Sequence, residues 1–129
     1  MAFEIVKAPT AFALDPSSKA TARIKDERHL AWIRTLPSVI SGEIGRCEAC
    51  HIRYGDPMYR KKRTGKGQKP DDCWTVPMTP GEHREQHDMN EKAFWDSQGI
   101  DPLRIAHALY TVTGETEAAI KIIVNARAR

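Results

Sequence analysis

The 129-residue chain has no apolar run approaching the roughly 18 residues that a membrane span needs, and no apolar segment of a secretory signal near its start. A cytoplasmic location without a membrane partner is therefore expected. Cysteine is scarce. Three residues, an odd number without a secretory signal, argue against a disulfide framework. The net charge is only +3, too small to establish a nucleic-acid partner except through where the charges fall. Internal repeats and low-complexity segments are also missing. What remains is the composition of one globular domain, 40% hydrophobic and 29% charged, long enough to bury a modest core.

Residues 1–25 read as an N-terminal arm or short strands, with Asp15-Pro16-Ser17-Ser18 as a turn. Residues 26–129 read as a single domain. Asp26 can cap a helix running to about Leu36, stopped by Pro37, with Leu30, Ile33 and Leu36 facing the core. Ser38 to Gly45 is a connection into the central unit. Beyond that unit, Asn90 caps a short helix carrying Phe94 and Trp95 and ended by Gly99. Asp101-Pro102 starts another, broken at Gly114, on which His107 reads as a partly buried packing residue. Thr116 can cap a last helix with Ile120, Ile123 and Val124 inward, fraying at Arg127-Ala128-Arg129.

The informative stretch is Cys47 to His87, predicted as strand, basic loop, strand, helix within residues 46–90. Cys47 to Ile52 forms a strand whose end presents His51, and Trp74 to Met78 alternates as a second strand. Thr79-Pro80-Gly81-Glu82 is a capping box with proline at the first helical position, so a helix opens just before His83. His83 and His87 are four apart and leave one helix face, where two neutral imidazoles can hold one divalent ion. Taken alone, such a pair is more often a solvated face. A hydrolytic site also needs a base of near-neutral pKa, and His51 across the hairpin supplies a candidate. In the loop between the strands, residues 53–69 carry Arg53, Arg60, Lys61, Lys62, Arg63, Lys66 and Lys69 against Asp56 alone, a charge set suited to a nucleic-acid backbone.

HLAWIRTLP, EACHIRYGDP, GKGQKPDDCWTVPMTPGEHREQH and FWDSQGIDP, in that order, resemble a phage and prophage family of HNH (His-Me finger, ββα-metal) nucleases. That family is grouped with the phage recombination-enhancement nuclease, and the resemblance covers roughly residues 28–110. It implies an α+β fold with a ββα-metal core surrounded by further helices. By it, His51 is similar to the general base, His83 and His87 to the metal ligands, and Asp72 to the residue that orients the base. One divalent ion (magnesium, manganese, nickel or zinc) is the implied cofactor, and DNA the implied partner. Recombinases or phage replication and recombination proteins are further partners it suggests. The family's structural zinc knuckle falls on Ser38, Ser41, Thr79 and Glu82, so no zinc of that type is expected.

The reading is thus a metal-dependent DNA endonuclease, EC class hydrolase, with two rivals. One is a catalytically silent DNA-binding or recombination-accessory protein of the same fold. The other is a structural zinc module in which Cys47, Cys50, Cys73 and a histidine share an ion, against which the three thiols read as small buried residues with Cys50 as an extra contact of the catalytic metal.

Overall fold

The computed structural model describes residues 22–65 and 67–127, so residues 1–21 of the expected N-terminal arm, Lys66 and the last two residues of the expected fraying end lie outside the described residues. Within them the fold is α+β. Five helices surround one two-stranded antiparallel sheet: α1 (Glu27–Ile33), β1 (Glu48–His51), β2 (Thr75–Met78), α2 (Pro80–His87), α3 (Glu91–Gln98), α4 (Pro102–Thr111) and α5 (Thr116–Arg127).

Local chemistry explains most element boundaries. The Asp26 side chain accepts from the His29 N–H and starts α1. Asn90 and Asp101 cap α3 and α4 in the same way. Gly99 closes α3 in the left-handed region, at φ 69°, where a side chain would be strained. The Thr79–Glu82 capping box is complete, with each residue's side chain bonded to the other's backbone N–H. The last helix departs from expectation. Thr116 is its first residue rather than its cap, and its hydroxyl accepts from the Trp32 indole N–H instead. Its inward face is Ala119, Ile123 and Ala126, while Ile120 and Val124 are exposed. Apolar residues run around more than one face of this helix, and its packing on α4 decides which face is covered.

The sheet pairs Glu48 with Met78, Ala49 with Pro77, Cys50 with Val76 and His51 with Thr75. All four residues of β2 are buried, because α4 packs on the strand as well as α1 and α2. Phe94, Trp95, Ile33, Leu36, Val76 and Leu103 form the centre of the core. His29 is also fully buried beside Tyr110, its Nδ1 2.8 Å from the Thr113 hydroxyl. No described helix is long and apolar enough to cross a membrane.

Two buried groups make stability depend on pH in one direction. Burial lowers the His29 pKa below its ordinary 6.5, against the opposing pull of Asp26 and Asp72. Asp72 also lies low, for reasons given below. A depressed pKa means that the unfolded chain takes up protons before the folded one, so stability falls on acidification. The loss should begin below pH 6.5 from His29 and steepen below pH 4 from Asp72. Thermal unfolding from pH 7 to 3 measures it. In His29→Phe the decline between pH 6.5 and 5 should flatten, and an unchanged slope would assign it to other groups.

Candidate metal and hydrolytic site

Strand β1 organises the site. Glu48 and Cys50 point toward α2, where Glu48 Oε1 lies 2.9 Å from His83 Nδ1 and the Cys50 thiol donates to Gln86 Oε1 at 3.5 Å. These two contacts set α2 beside β1 on the face that carries residues 48 and 50. Glu91 continues that register, its carboxylate accepting from the backbone N–H groups of Arg53 and Tyr54 at 3.0–3.1 Å.

His51 ends β1 with its side chain 15% exposed, and its Nε2 lies 2.9 Å from Asp72 Oδ1. Asp72 is held on every side. Its Oδ1 also takes Arg23 Nη1 at 3.0 Å, and its Oδ2 accepts the Asp26 N–H at 2.7 Å. Burial acts most strongly on this carboxyl and pushes its pKa up. The hydrogen bonds from His51 and Asp26, with the charges of His51 and Arg23, prevail and hold it below the ordinary range. Asp72 is therefore an acceptor at neutral pH. It favours a hydrogen on His51 Nε2 and leaves the Nδ1 lone pair for chemistry.

The second histidine pair meets at 3.1 Å between His83 Nε2 and His87 Nε2. Two imidazole nitrogens each about 2.0–2.1 Å from one ion, at an angle near 90–110°, lie about 2.9–3.4 Å apart, so this spacing suits a shared divalent ion. Glu48 accepts at His83 Nδ1, which fixes the hydrogen there and turns the Nε2 lone pair toward the common point. The described residues contain no group of three His, Cys, Asp or Glu side chains converging as a metal cluster. A fit to an ion thus rests on two imidazoles, with solvent or phosphate oxygens completing the shell.

Without a metal the three cysteines are protonated. Burial pushes Cys47 and Cys73 to about 11 and Cys50 to about 12, with nearby carboxylates adding to it. At neutral pH all three are thiols.

The basic loop divides into two groups. Arg60, Lys62, Arg63 and Lys69 are exposed. Arg53 and Lys61, expected at the nucleic-acid surface, are turned to the loop's own backbone. The Arg53 guanidinium donates to the Gln68 and Gly65 carbonyls at 2.8 and 2.9 Å. Lys61 is 6% exposed, with Nζ on the Arg53 and Lys62 carbonyls at 3.2 and 3.3 Å. A 23-residue connection with few apolar residues must satisfy its backbone polar groups somehow, and these two cations do so. An open groove of about 590 Å³ is lined by Arg53, Tyr54, Arg63, Thr64, Asn90, Glu91 and Lys92, and by none of His51, Asp72, His83 and His87.

Ser38, Ser41, Thr79 and Glu82 gather at the start of α2. The fully buried Ser38 hydroxyl donates to Glu82 Oε1 at 2.6 Å and accepts from the Ile40 and Ser41 N–H groups. Glu82 Oε1 also accepts the Thr79 N–H at 2.9 Å. Burial raises the Glu82 pKa, but the serine and threonine hydrogen bonds outweigh it and keep the carboxyl ionised well into acid. This knot ties α2, and with it both helix histidines, to the 38–41 turn. Ser38→Ala orphans two backbone amides and one carboxylate contact, so a loss of about 1–3 kcal/mol is expected in denaturant unfolding. A loss no larger than that of Ser41→Ala would deny Ser38 its central place.

Sequence reasoning missed Glu48, Gln86, Arg23 and Glu91. The period-2 alternation of β1 puts residues 48 and 50 on one face, a readable signal, but nothing in the sequence says that this face meets α2. His107 proves exposed, stacked at 24° on Trp74. Comparison with protein-family models, curated proteins and solved structures gave no match.

Proposed function

We propose that this chain is a metal-dependent DNA endonuclease of the HNH type, built on a ββα-metal core and related to the phage and prophage family that its sequence resembles. The observation that carries the reading is one strand–helix unit bearing two histidine constellations: a His51–Asp72 dyad at the end of β1, and a His83–His87 pair whose Nε2 atoms are 3.1 Å apart.

In the mechanism we infer, His51 Nδ1 takes the proton of the attacking water while Asp72 stabilises the imidazolium through Nε2. His83 and His87 would hold the divalent ion, with Glu48 orienting His83. When bound, that ion supplies charge neutralisation at the scissile phosphate and at the leaving oxygen. Imidazole ligands favour transition metals, and a two-histidine site completed by water also suits magnesium. Arg63 and Lys92, which line the 590 Å³ groove, offer charge to phosphates farther along the strand.

Relaxation of supercoiled plasmid with added magnesium, manganese, nickel or zinc tests the proposal. Nicking by the wild type that disappears in His51→Ala supports it. Equal residual cleavage by both proteins, with DNA binding intact, would favour a silent DNA-binding protein of the same fold.

A further inference from the structure

A hydrogen-bonded turn of the basic loop carries its most exposed apolar side chain. Residues 55–61 fold back on themselves: the Asp56 N–H donates to the Lys61 carbonyl at 2.9 Å and the Lys61 N–H returns to the Asp56 carbonyl at 3.2 Å. Between them Pro57–Tyr59 make one 3-10 turn, capped by Asp56 Oδ1 on the Met58 N–H. Gly55 closes the base, where a Cβ would come within 2.7 Å of the Arg63 nitrogen and the Lys61 carbonyl. Arg60 sits at φ 54°, the one non-glycine residue with positive φ among those described, and such a conformation persists only where its surroundings hold it.

The surroundings are aromatic on the inner side. Tyr59 packs against Trp74 and His107 at 6.3 and 6.2 Å, and its hydroxyl donates to Asp101 at 3.3 Å. Buried Lys61 ties the turn to two carbonyls from within. At the tip Met58 stands 79% exposed, the largest exposure among the described large hydrophobic residues. Arg60, Lys62 and Arg63, two to five residues further along the chain, are exposed, while Asp56, two residues before it, has its carboxylate engaged by the Met58 N–H.

A braced turn has little conformational freedom left to lose on binding, so an apolar tip on it is preorganised for insertion. Three exposed cations within five residues of that tip suit a polyanion rather than an apolar protein surface. We propose that Met58 is a wedge that enters between base pairs of duplex DNA, with Arg60, Lys62 and Arg63 taking the phosphates on either side. Methionine is among the side chains that unstack a base step in this way. Unstacking is easiest at mismatches and at flexible pyrimidine–purine steps, so the substrate class is distorted or readily kinked duplex. This inference deepens the nuclease reading and rests on it for its choice of DNA.

Titrating the metal-free full chain into a short duplex containing 2-aminopurine beside a mismatch tests the wedge. The wild type should raise the fluorescence as the probe unstacks. Met58→Ala should abolish the rise and weaken binding about ten-fold, the equivalent of losing most of one buried methionine side chain. Its salt dependence should be unchanged, and Met58→Leu should retain the signal. Binding without a fluorescence rise, or a rise that survives in Met58→Ala, overturns the wedge. His51-dependent nicking together with no rise would remove the wedge and leave the nuclease standing. A Met58-dependent rise in a protein whose nicking ignores His51 would do the reverse. Absence of DNA binding would overturn both.

Discussion

His51→Ala should lower the rate of plasmid nicking by about 10²–10⁴-fold, the range associated with a positioned general base. The fold should survive the change. His51 lies at the end of a strand, partly exposed, and its removal leaves Asp72 still paired with Arg23 and with the Asp26 N–H. Thermal unfolding and far-UV circular dichroism of the variant should therefore stay close to wild type. Asp72→Asn should cost less in rate and more in stability, because Asp72 ties the base histidine to the start of α1. That contrast separates the two roles. A His51→Ala protein that is folded and cuts as fast as wild type would end the hydrolytic assignment.

His83→Ala and His87→Ala should each remove most of the divalent-metal affinity. Glu48→Gln should weaken it by about 10–100-fold, the usual effect of losing a partner that orients a metal-binding imidazole. Isothermal titration with nickel, zinc or manganese reads this directly. Unfolding reads it again, since a ligand that binds only the folded state at about 100 times its Kd stabilises that state by about 2.7 kcal/mol. The stabilisation should be absent in both histidine variants, and the double variant should lose little beyond either single one, because each imidazole alone grips poorly. Metal-induced stabilisation that persists in the double variant would place the ion elsewhere. Loss of affinity in Glu48→Gln alone would still assign the 2.9 Å contact to metal binding rather than to a surface ion pair.

The outline of this protein was legible wherever the physics is local. Caps such as Asp26, Asn90, Asp101 and the Thr79–Glu82 box act over three or four residues, so residue identity is enough to find them. The i, i+4 spacing of His83 and His87 guarantees a shared helix face before any tertiary contact forms. The His51–Asp72 contact follows from no rule of spacing, for 20 residues lie between the two.

Charge and apolarity were poorer guides to position. Seven cations in one loop look alike as letters, yet Arg53 and Lys61 bind carbonyls while Arg60, Lys62, Arg63 and Lys69 face water. Ile120 and Val124 match a helical stripe as well as Ala119 and Ala126 do, and the docking of α5 chose the smaller residues.

Residue order alone was sufficient for the starts of the first four helices, the strand–loop–strand–helix sequence and the histidines worth testing, because hydrogen-bonding caps and periodicity depend on near neighbours. Which groups meet was settled by packing. Glu48 finds His83, Arg23 finds Asp72, and Ser38 finds Glu82 across separations of 35 to 49 residues. Contacts of that range form only when the core has closed, so no local pattern announces them.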